Sequence, residues 1–314
     1  MKVRFIFNPR SGRPRRNRPI LPMLRNFIAA RALEADLVCT EGPGHATELA
    51  QEAVSAGCLR VVAVGGDGTV NEVAQALFNT PAAMGLVPCG SGNGLALHLG
   101  LPKDIGDALD LAAGPAGRTA ALDTGVVNSL PFVNAMGLGL DSDVAHRFNR
   151  LTSRGLPAYA RTALSAFMNR KTERCIVSAG SHRETVDMLL IAIANSDQYG
   201  NNAKIAPNAR VDDGALDLVV VSPVGWISAC FLGARLFLGT THKSGRVRRI
   251  VGPSFVIERP AAGLIHTDGE THFTGARIEV SVRPRSLRVI VPVNCAAVSP
   301  SNDKAAAGFA LQLP

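Results

Sequence analysis

Four strand-like apolar runs in the first third of the chain each end in a short polar, glycine-bearing cluster. Helix-period segments separate them, and this rhythm more than any other feature limits what the chain can become. Val3–Asn8, Asp36–Cys39, Leu59–Val64 and Met84–Val87 read as strands; Ile20–Ala32, Ala46–Ala56, Val70–Phe78 and Asp104–Ala113 read as helices. Strands separated by helices imply a parallel sheet covered on both faces, and such sheets bind ligands beyond the carboxyl ends of their strands. The clusters fall at those ends: Asn8-Pro9-Arg10-Ser11-Gly12, Thr40-Glu41-Gly42-Pro43-Gly44-His45-Ala46, Gly65-Gly66-Asp67-Gly68-Thr69 and Pro88-Cys89-Gly90-Ser91-Gly92-Asn93-Gly94. One such turn is ordinary; four at one sheet edge describe a nucleotide cleft.

The third cluster carries the chemistry. Glycines let a backbone approach a bulky polyanion, and amides at a helix start favour negative charge. Asp67 in that place would repel phosphate unless a cation stood between them, so the loop asks for a nucleotide with Mg²⁺ nearby. No Gly-Lys-Ser/Thr follows, which excludes a Walker A loop, and the dinucleotide pattern Gly-x-Gly-x-x-Gly is absent from this stretch.

After about residue 123 the rhythm changes. Val126–Val133 reads as a hairpin, and Cys175–Ala179, Met188–Ala194, Leu216–Val221, Ser254–Ile257, Arg277–Val282 and Leu287–Val291 as strands, with helices at Ala158–Met168 and Val224–Leu238. The expected architecture is α/β: a parallel-sheet nucleotide domain over residues 1–122, completed by the segment after about 288, and a β-rich antiparallel domain over 123–287. The Ala- and Ser-rich tail, 298–314, is expected to fray.

Composition narrows the partners. A net charge of +8 favours anionic ligands, while aromatics at 5% argue against a base-stacking nucleic-acid surface. The six cysteines form no Cys-x-x-Cys pair, so zinc is not expected and reduced thiols are. The opening residues read as a strand rather than a leader, and the greasiest stretch, Val224–Gly239, is too short to span a bilayer.

Taken in order, the motifs resemble the diacylglycerol kinase catalytic-domain family, which includes bacterial lipid kinases and sphingosine kinases. The resemblance runs through Asn8-Pro9-x-Ser11-Gly12, Gly65-Gly66-Asp67-Gly68-Thr69, Gly90-Ser91-Gly92-Asn93, Asp123-Thr124-Gly125, Asn134-x-x-Gly137-x-Gly139-x-Asp141 and Asn195-Ser196. It closes on Pro207-x-Ala209-x-x-Asp212-Asp213-Gly214-x-Leu216-Asp217 and His266-Thr267-Asp268-Gly269-Glu270. It covers about residues 2 to 293. Gly-Gly-Asp-Gly alone is shared with NAD kinases and phosphofructokinases; the ordered series is more specific.

The resemblance implies an NAD-kinase-like nucleotide domain, a β-rich domain, an active site between them, and ATP-dependent phosphorylation of a lipid hydroxyl. It implies that Asn8, Gly65, Gly66, Gly68, Thr69, Val70, Asn71, Glu72, Gly90, Gly92 and Asn93 line the ATP phosphates, with Thr40 and Ser91 as hydroxyl contacts. Asp67 would help position Mg²⁺ through water, because Mg²⁺ keeps waters and takes few carboxylates. Asp268 and Glu270 lie two apart, so on an extended segment both point the same way. One would accept the substrate proton, with Glu270 slightly favoured, and the other would steady the metal; a solvated Asp-Gly-Glu turn is the alternative. A structural Mg²⁺ would take the Asp213 side chain with carbonyls of Arg210 and Ala215, the alternative being a capped turn.

Where bacterial diacylglycerol kinases usually place Asp after the second-loop Asn, this chain has Gly94, which is similar to the sphingosine kinase version. Asp141 and Asp143 are candidate substrate-headgroup residues, a surface-loop Asp being the alternative for Asp143. The basic runs Arg13–Arg18 and Lys243–Arg249 are solvated faces or phosphate docks. The stripe Trp226, Ile227, Phe231, Leu232, Leu236 is assigned to the core in preference to a membrane. The expected partners are ATP, a lipid at the inner face of a membrane approached from the cytoplasm, and a homodimeric second copy; nucleic acid is not. An NAD kinase and a non-catalytic nucleotide or lipid binder are the competing readings.

Overall fold

The computed structural model describes residues 2–11, 19–151 and 156–300. The Arg13–Arg18 run, Gly12 and the tail beyond residue 300 lie outside the described residues. The chain divides into two compact units, Met1–Leu122 with Arg285–Pro314, and Asp123–Pro284.

The first unit alternates β1 (Val3–Phe7), α1 (Ile20–Ala30), β2 (Ala35–Cys39), α2 (His45–Ser55), β3 (Arg60–Gly65), α3 (Asp67–Leu77), β4 (Ala83–Pro88), α4 (Gly94–His98) and α5 (Ile105–Ala113). Its strands lie in the order β2-β1-β3-β4, all parallel, with Val3 opposite both Ala35 and Arg60, and Arg60 opposite Ala83. Buried on both faces, β1, β3 and β4 are mainly apolar, whereas the edge strand β2 is partly exposed; Val3, Phe5, Val62, Val64 and Val87 pack with Leu24 of α1 and Leu109 and Ala112 of α5. Asp104 starts α5 by accepting from the Gly106 and Asp107 amides. α5 then lies so close to β4 that a Cβ on Gly85 would meet Ala112 Cβ at 2.9 Å.

α3 starts at Asp67, three residues before the expected Val70. Gly66 is the extended residue before it, and the Val70 amide already bonds back to the Gly66 carbonyl. Asp67, Gly68 and Thr69 therefore form a first helical turn, where a carboxylate complements the helix dipole.

The strand β5 (Gly117–Val127) leads into the second unit: β6 (Leu130–Phe132), β7 (Ala135–Gly139), α6 (Leu140–Asn149), α7 (Leu156–Met168), β8 (Glu173–Ala179), β9 (His182–Met188), β10 (Leu190–Ala194), β11 (Leu216–Val221), α8 (Trp226–Leu238), β12 (Val247–Gly252), β13 (Ser254–Glu258), β14 (Gly263–Thr267), β15 (Glu270–Thr274) and β16 (Arg277–Pro292). One antiparallel sheet has the order β12-β11-β10-β7-β14-β15. Strands β13, β8, β9 and the first part of β16 form a second antiparallel layer. Met136, Leu138, Ile191, Ile193, Leu218 and Ile265 meet Val177, Val186, Phe255, Ile257, Ile278 and Val280 in the core of this sandwich.

Further readings change or are decided. Arg277–Val282 and Leu287–Val291 belong to one strand, β16, in which Arg285 takes φ +51° where the chain re-enters the first unit. Asp143, for which a surface loop is the alternative reading, lies with Asp141 in a helix, α6. The segment around Asp268 is a hairpin turn, not an extended run. Trp226, Ile227 and Phe231 are exposed rather than core; only Leu232 and Leu236 of that stripe pack inward. Helical periodicity marks an apolar face but cannot say whether anything covers it. Among the described residues no helix is long and apolar enough to cross a membrane.

Candidate active site

The parallel register brings Asn8, Thr40, Gly66 and Gly90 to the carboxyl ends of β1, β2, β3 and β4. The loops there are interlocked. Asn8 Nδ2 donates to Thr69 Oγ1 at 3.0 Å, the Gly66 amide donates to Ser11 Oγ at 3.2 Å, and the Cys89 amide bonds the Gly65 carbonyl. Asn93 adopts the left-handed conformation, φ 53°, and closes its own loop: Oδ1 accepts from the Gly90 amide and Nδ2 donates to the Gly90 carbonyl. Asn93 is thus a loop-closing residue first.

Asp67 staples the two glycine loops together. Its Oδ2 accepts from the Asn93 amide at 2.8 Å and its Oδ1 from the Gly94 amide at 2.7 Å. Burial pushes its carboxyl above the usual range, against the downward pull of those amides. The contact leaves no room for side chains. A Cβ on Gly90 would lie 2.5 Å from Gly66 Cα, one on Gly92 2.6 Å from Asp67 Oδ2, and one on Gly65 2.5 Å from Thr69 Oγ1. Of Gly65, Gly66, Gly68, Gly90 and Gly92, Gly68 alone has open space where its side chain would be. The fold explains the other four glycines; Gly68 faces outward on the first turn of α3, whose amides have no intrahelical acceptor.

Val70, Asn71 and Glu72 stand further along α3. Val70 and Asn71 are buried, Asn71 Oδ1 accepts from Gln75, and Glu72 accepts from the Ala46 amide at the start of α2. Because α3 begins earlier than expected, amides from Val70 onward face into the helix rather than a ligand. Thr40 is buried, with its amide on the Phe7 carbonyl, and Ser91 is exposed.

In the second unit Asp268 and Gly269 join β14 to β15 with φ 50° and 89°, both left-handed, as a tight two-residue hairpin turn requires. Asp268 and Glu270 consequently part company. Asp268 turns inward: Oδ1 accepts from the Asn134 and Ala135 amides at 2.8 and 2.9 Å, and Oδ2 from Val133 at 2.7 Å. Glu270 opens β15 and is exposed. The base of the hairpin is clamped by Arg259, which donates to the carbonyls of Gly263, Leu264, Thr274 and Gly275.

Burial pushes the Asp268 carboxyl up to about 6, against the pull of the Val133, Ala135 and Asn134 amides and of His266. An unfolded Asp titrates near 4. Between about pH 4 and about 6 the folded protein therefore holds a proton that the unfolded chain releases. This contribution to stability is complete below the unfolded value and is lost as pH rises through the folded one. Asp268→Asn abolishes the titration. In denaturant melts, the stability difference between wild type and variant should move in favour of wild type as pH falls through that window. A flat difference would show that Asp268 does not titrate there.

Asp141, in the first turn of α6, is buried and accepts from the Tyr199 hydroxyl at 2.5 Å. His266 Nδ1 accepts from the Gly269 amide, while its Nε2 lies 3.1 Å from Asp141 Oδ2, within ion-pair range but without hydrogen-bond geometry. Burial and the adjacent Asp141 charge push the Tyr199 phenol well above its ordinary value. A Cβ on Gly137 would collide with both Asp141 and His266, so this glycine admits the pair. Asp143 instead pairs with Arg147 at 2.9 Å, one helical turn on.

In the Asp213 loop, Asp213 is exposed and accepts from the Ala215 amide at 3.1 Å, as in a capped turn. The Gly214 amide bonds Asp123, and Arg210 pairs with Asp212 rather than with Asp213. Among the described residues no three His, Cys, Asp or Glu side chains gather as a metal cluster.

Sequence reasoning passed over Tyr199 and gave His266 no role; a His two positions before Asp268 was the available signal. Several matched motif residues prove to be scaffolding. Asn195 Nδ2 bridges the carbonyls of Asp123 and Val133, and Ser196 donates to Asn134, holding the backbone that receives Asp268.

Comparison with known proteins speaks to the family and the fold. The family model for the diacylglycerol kinase catalytic domain matches residues 2–127, and that for the YegS C-terminal NAD kinase beta sandwich-like domain matches residues 134–291. A "Probable lipid kinase YegS-like" protein of Pseudomonas fluorescens is 32% identical over 258 residues, 79% of this chain and 83% of its own. One from Enterobacter is 30% identical over 263 residues, 80% and 84% of the two chains. A crystal structure of a diacylglycerol kinase from Bacillus anthracis superposes with TM-score 0.71 at 21% identity, covering 96% of this chain and 98% of that one. An NAD kinase from Archaeoglobus fulgidus in complex with ATP reaches 0.53 at 12% identity over 92% and 93%. The two structural likenesses speak for the fold. With its family models matched in order along the two units, the chain belongs to the diacylglycerol kinase catalytic-domain family, and it is a kinase.

Proposed function

We propose that the protein transfers the γ-phosphoryl group of ATP to the hydroxyl of a lipid, with Glu270 accepting the hydroxyl proton. The observation that carries this assignment is the parting of the two hairpin carboxylates. Asp268 accepts three backbone amides and is a positioning residue, whereas Glu270 is held exposed on the rigid turn that Asp268 ties down. Phosphoryl transfer asks little covalent help of a protein; it needs alignment, charge stabilisation and a proton acceptor.

On the donor side, the amides of the first turn of α3 approach phosphate where Gly68 leaves space, with Asn8, Thr40, Thr69 and Ser91 as polar neighbours. Gly65, Gly66, Gly90, Gly92 and Asn93 shape that surface rather than touch the ligand.

Mg²⁺ fits the donor chemistry present. Asp67 accepts from the Asn93, Gly94 and its own amides and keeps lone-pair capacity that can receive a metal-bound water, and the Asp213 loop offers a carboxylate with the Arg210 and Ala215 carbonyls, all hard oxygens. Beside Asp67, with ATP bound, the ion would neutralise phosphate charge; at the Asp213 loop it would be structural.

The test is purified protein with labelled ATP and micellar diacylglycerol, ceramide, sphingoid base or phosphatidylglycerol. Label should enter at least one lipid, and removing Mg²⁺ should abolish it. Phosphorylation of NAD with no lipid product would overturn the reading. Gly94 donates its amide to Asp67 where diacylglycerol kinases usually have an acid, so the panel extends to sphingoid acceptors.

A further inference from the structure

Helix α8 has no buried residue along its thirteen positions. One side, Leu232 and Leu236, leans on the apolar cluster that includes Ala192, Val219 and Val221. The other side shows Trp226, Ile227, Phe231 and Leu238 to solvent, 50%, 71%, 67% and 74% exposed. The end of α7 abuts its start: the Phe167 and Trp226 rings lie 5.8 Å apart, and Arg170 donates to the Val224 carbonyl. Met168, 67% exposed, extends the same apolar surface.

The two sequence segments that carry this surface are one-signed. From Pro223 to Gly252 the chain has no Asp or Glu but has Arg235, Lys243, Arg246, Arg248 and Arg249; Pro157 to Thr172 likewise has no acid but carries Arg161, Arg170 and Lys171. Arg248 and Arg249 pair with Glu184 and Asp217; Arg161, Lys171, Lys243 and Arg246 are also exposed.

We propose that α8, with the end of α7, is the surface by which this protein docks on an anionic lipid bilayer. Trp226, Ile227 and Phe231 enter the headgroup boundary while the surrounding cations meet lipid phosphates. Exposed aromatic and aliphatic side chains on one face, with basic residues and no acid in the segments that carry them, are what such a boundary recognises. At about 20 Å the helix is too short to span the bilayer and lies in its plane. A self-complementary contact with a second copy would instead press two cationic rims together. The proposal rests on the lipid-acceptor reading, because it supplies access to a membrane-embedded substrate.

The full chain is mixed, without ATP, with phosphatidylcholine vesicles lacking or containing phosphatidylglycerol. It should sediment with the anionic vesicles, less so as salt rises, and the emission of Trp226, the only tryptophan, should shift to the blue. Ile227→Glu with Phe231→Glu should weaken binding by at least about tenfold with an unchanged thermal midpoint. Lys243→Glu with Arg246→Glu should selectively weaken binding to anionic vesicles. Wild type left in the supernatant, or variants that sediment like wild type, would overturn the proposal. So would apolar variants that turn a dimer into a monomer while vesicle binding persists. Because ATP is absent, a failure here leaves the labelled-ATP assay to judge the kinase reading independently.

Discussion

Glu270→Gln should lower turnover about 10²–10⁴-fold while ATP affinity is retained, the loss expected when a proton acceptor is removed without disturbing the donor site. Gln keeps the length and polarity of the side chain, and Glu270 lies exposed at the start of β15, so the fold should melt as before. Both readouts are needed: single-turnover phosphorylation of the preferred lipid, and ATP affinity by titration. Asp268→Asn provides the contrast. Its carboxylate holds the Val133, Asn134 and Ala135 amides, so its loss should register in stability as well as in rate. If Glu270→Gln retains full turnover, the proton goes elsewhere and the assignment of the two carboxylates is wrong.

The second large effect separates glycines that build the nucleotide loops from the one that meets the nucleotide. Gly90→Ala puts a methyl 2.5 Å from Gly66 Cα and 2.8 Å from Asn93 Oδ1, against backbone that cannot step aside. It should cost about 1–3 kcal/mol of stability, as overpacking does, and weaken ATP binding because both loops are displaced. Gly68→Ala should do the reverse to stability. It sits in the first turn of α3 with open space beside it, so the substitution should be neutral or stabilise by about 0.5–1 kcal/mol. Its methyl nonetheless occupies the space proposed for phosphate, and ATP should bind about tenfold more weakly, some 1.4 kcal/mol. Thermal melts with and without ATP read both effects. A Gly90→Ala protein as stable as wild type contradicts the interlock, and a Gly68→Ala protein with normal ATP affinity contradicts phosphate approach at that turn.

The regular elements of the first unit were legible because a parallel, doubly covered sheet writes itself as near-continuous apolar strands punctuated by glycine. The side-chain roles were less so. Asp67 and Asp268 look alike on the page, each an acid beside glycine in a matched motif, and both turn out to bind backbone amides from distant segments: Asn93 and Gly94 for the first, Val133 to Ala135 for the second. Such partners have no local signal. The hairpin itself does have a local signal. Asp-Gly between β-forming residues marks a tight hairpin, and that turn, with both residues left-handed, sends Asp268 inward and leaves Glu270 outside.

The amino-acid sequence by itself determined the alternation of elements, the ordered motifs and through them the family, because strand and helix periods and glycine-rich turns are local properties of the chain. Only the tertiary structure decided which glycines are filled by neighbouring backbone, which acids are consumed as staples and which stand exposed, and that Trp226, Ile227 and Phe231 have nothing over them. Burial and hydrogen-bond partnership are relations between residues far apart in sequence, and they exist only once the chain has folded.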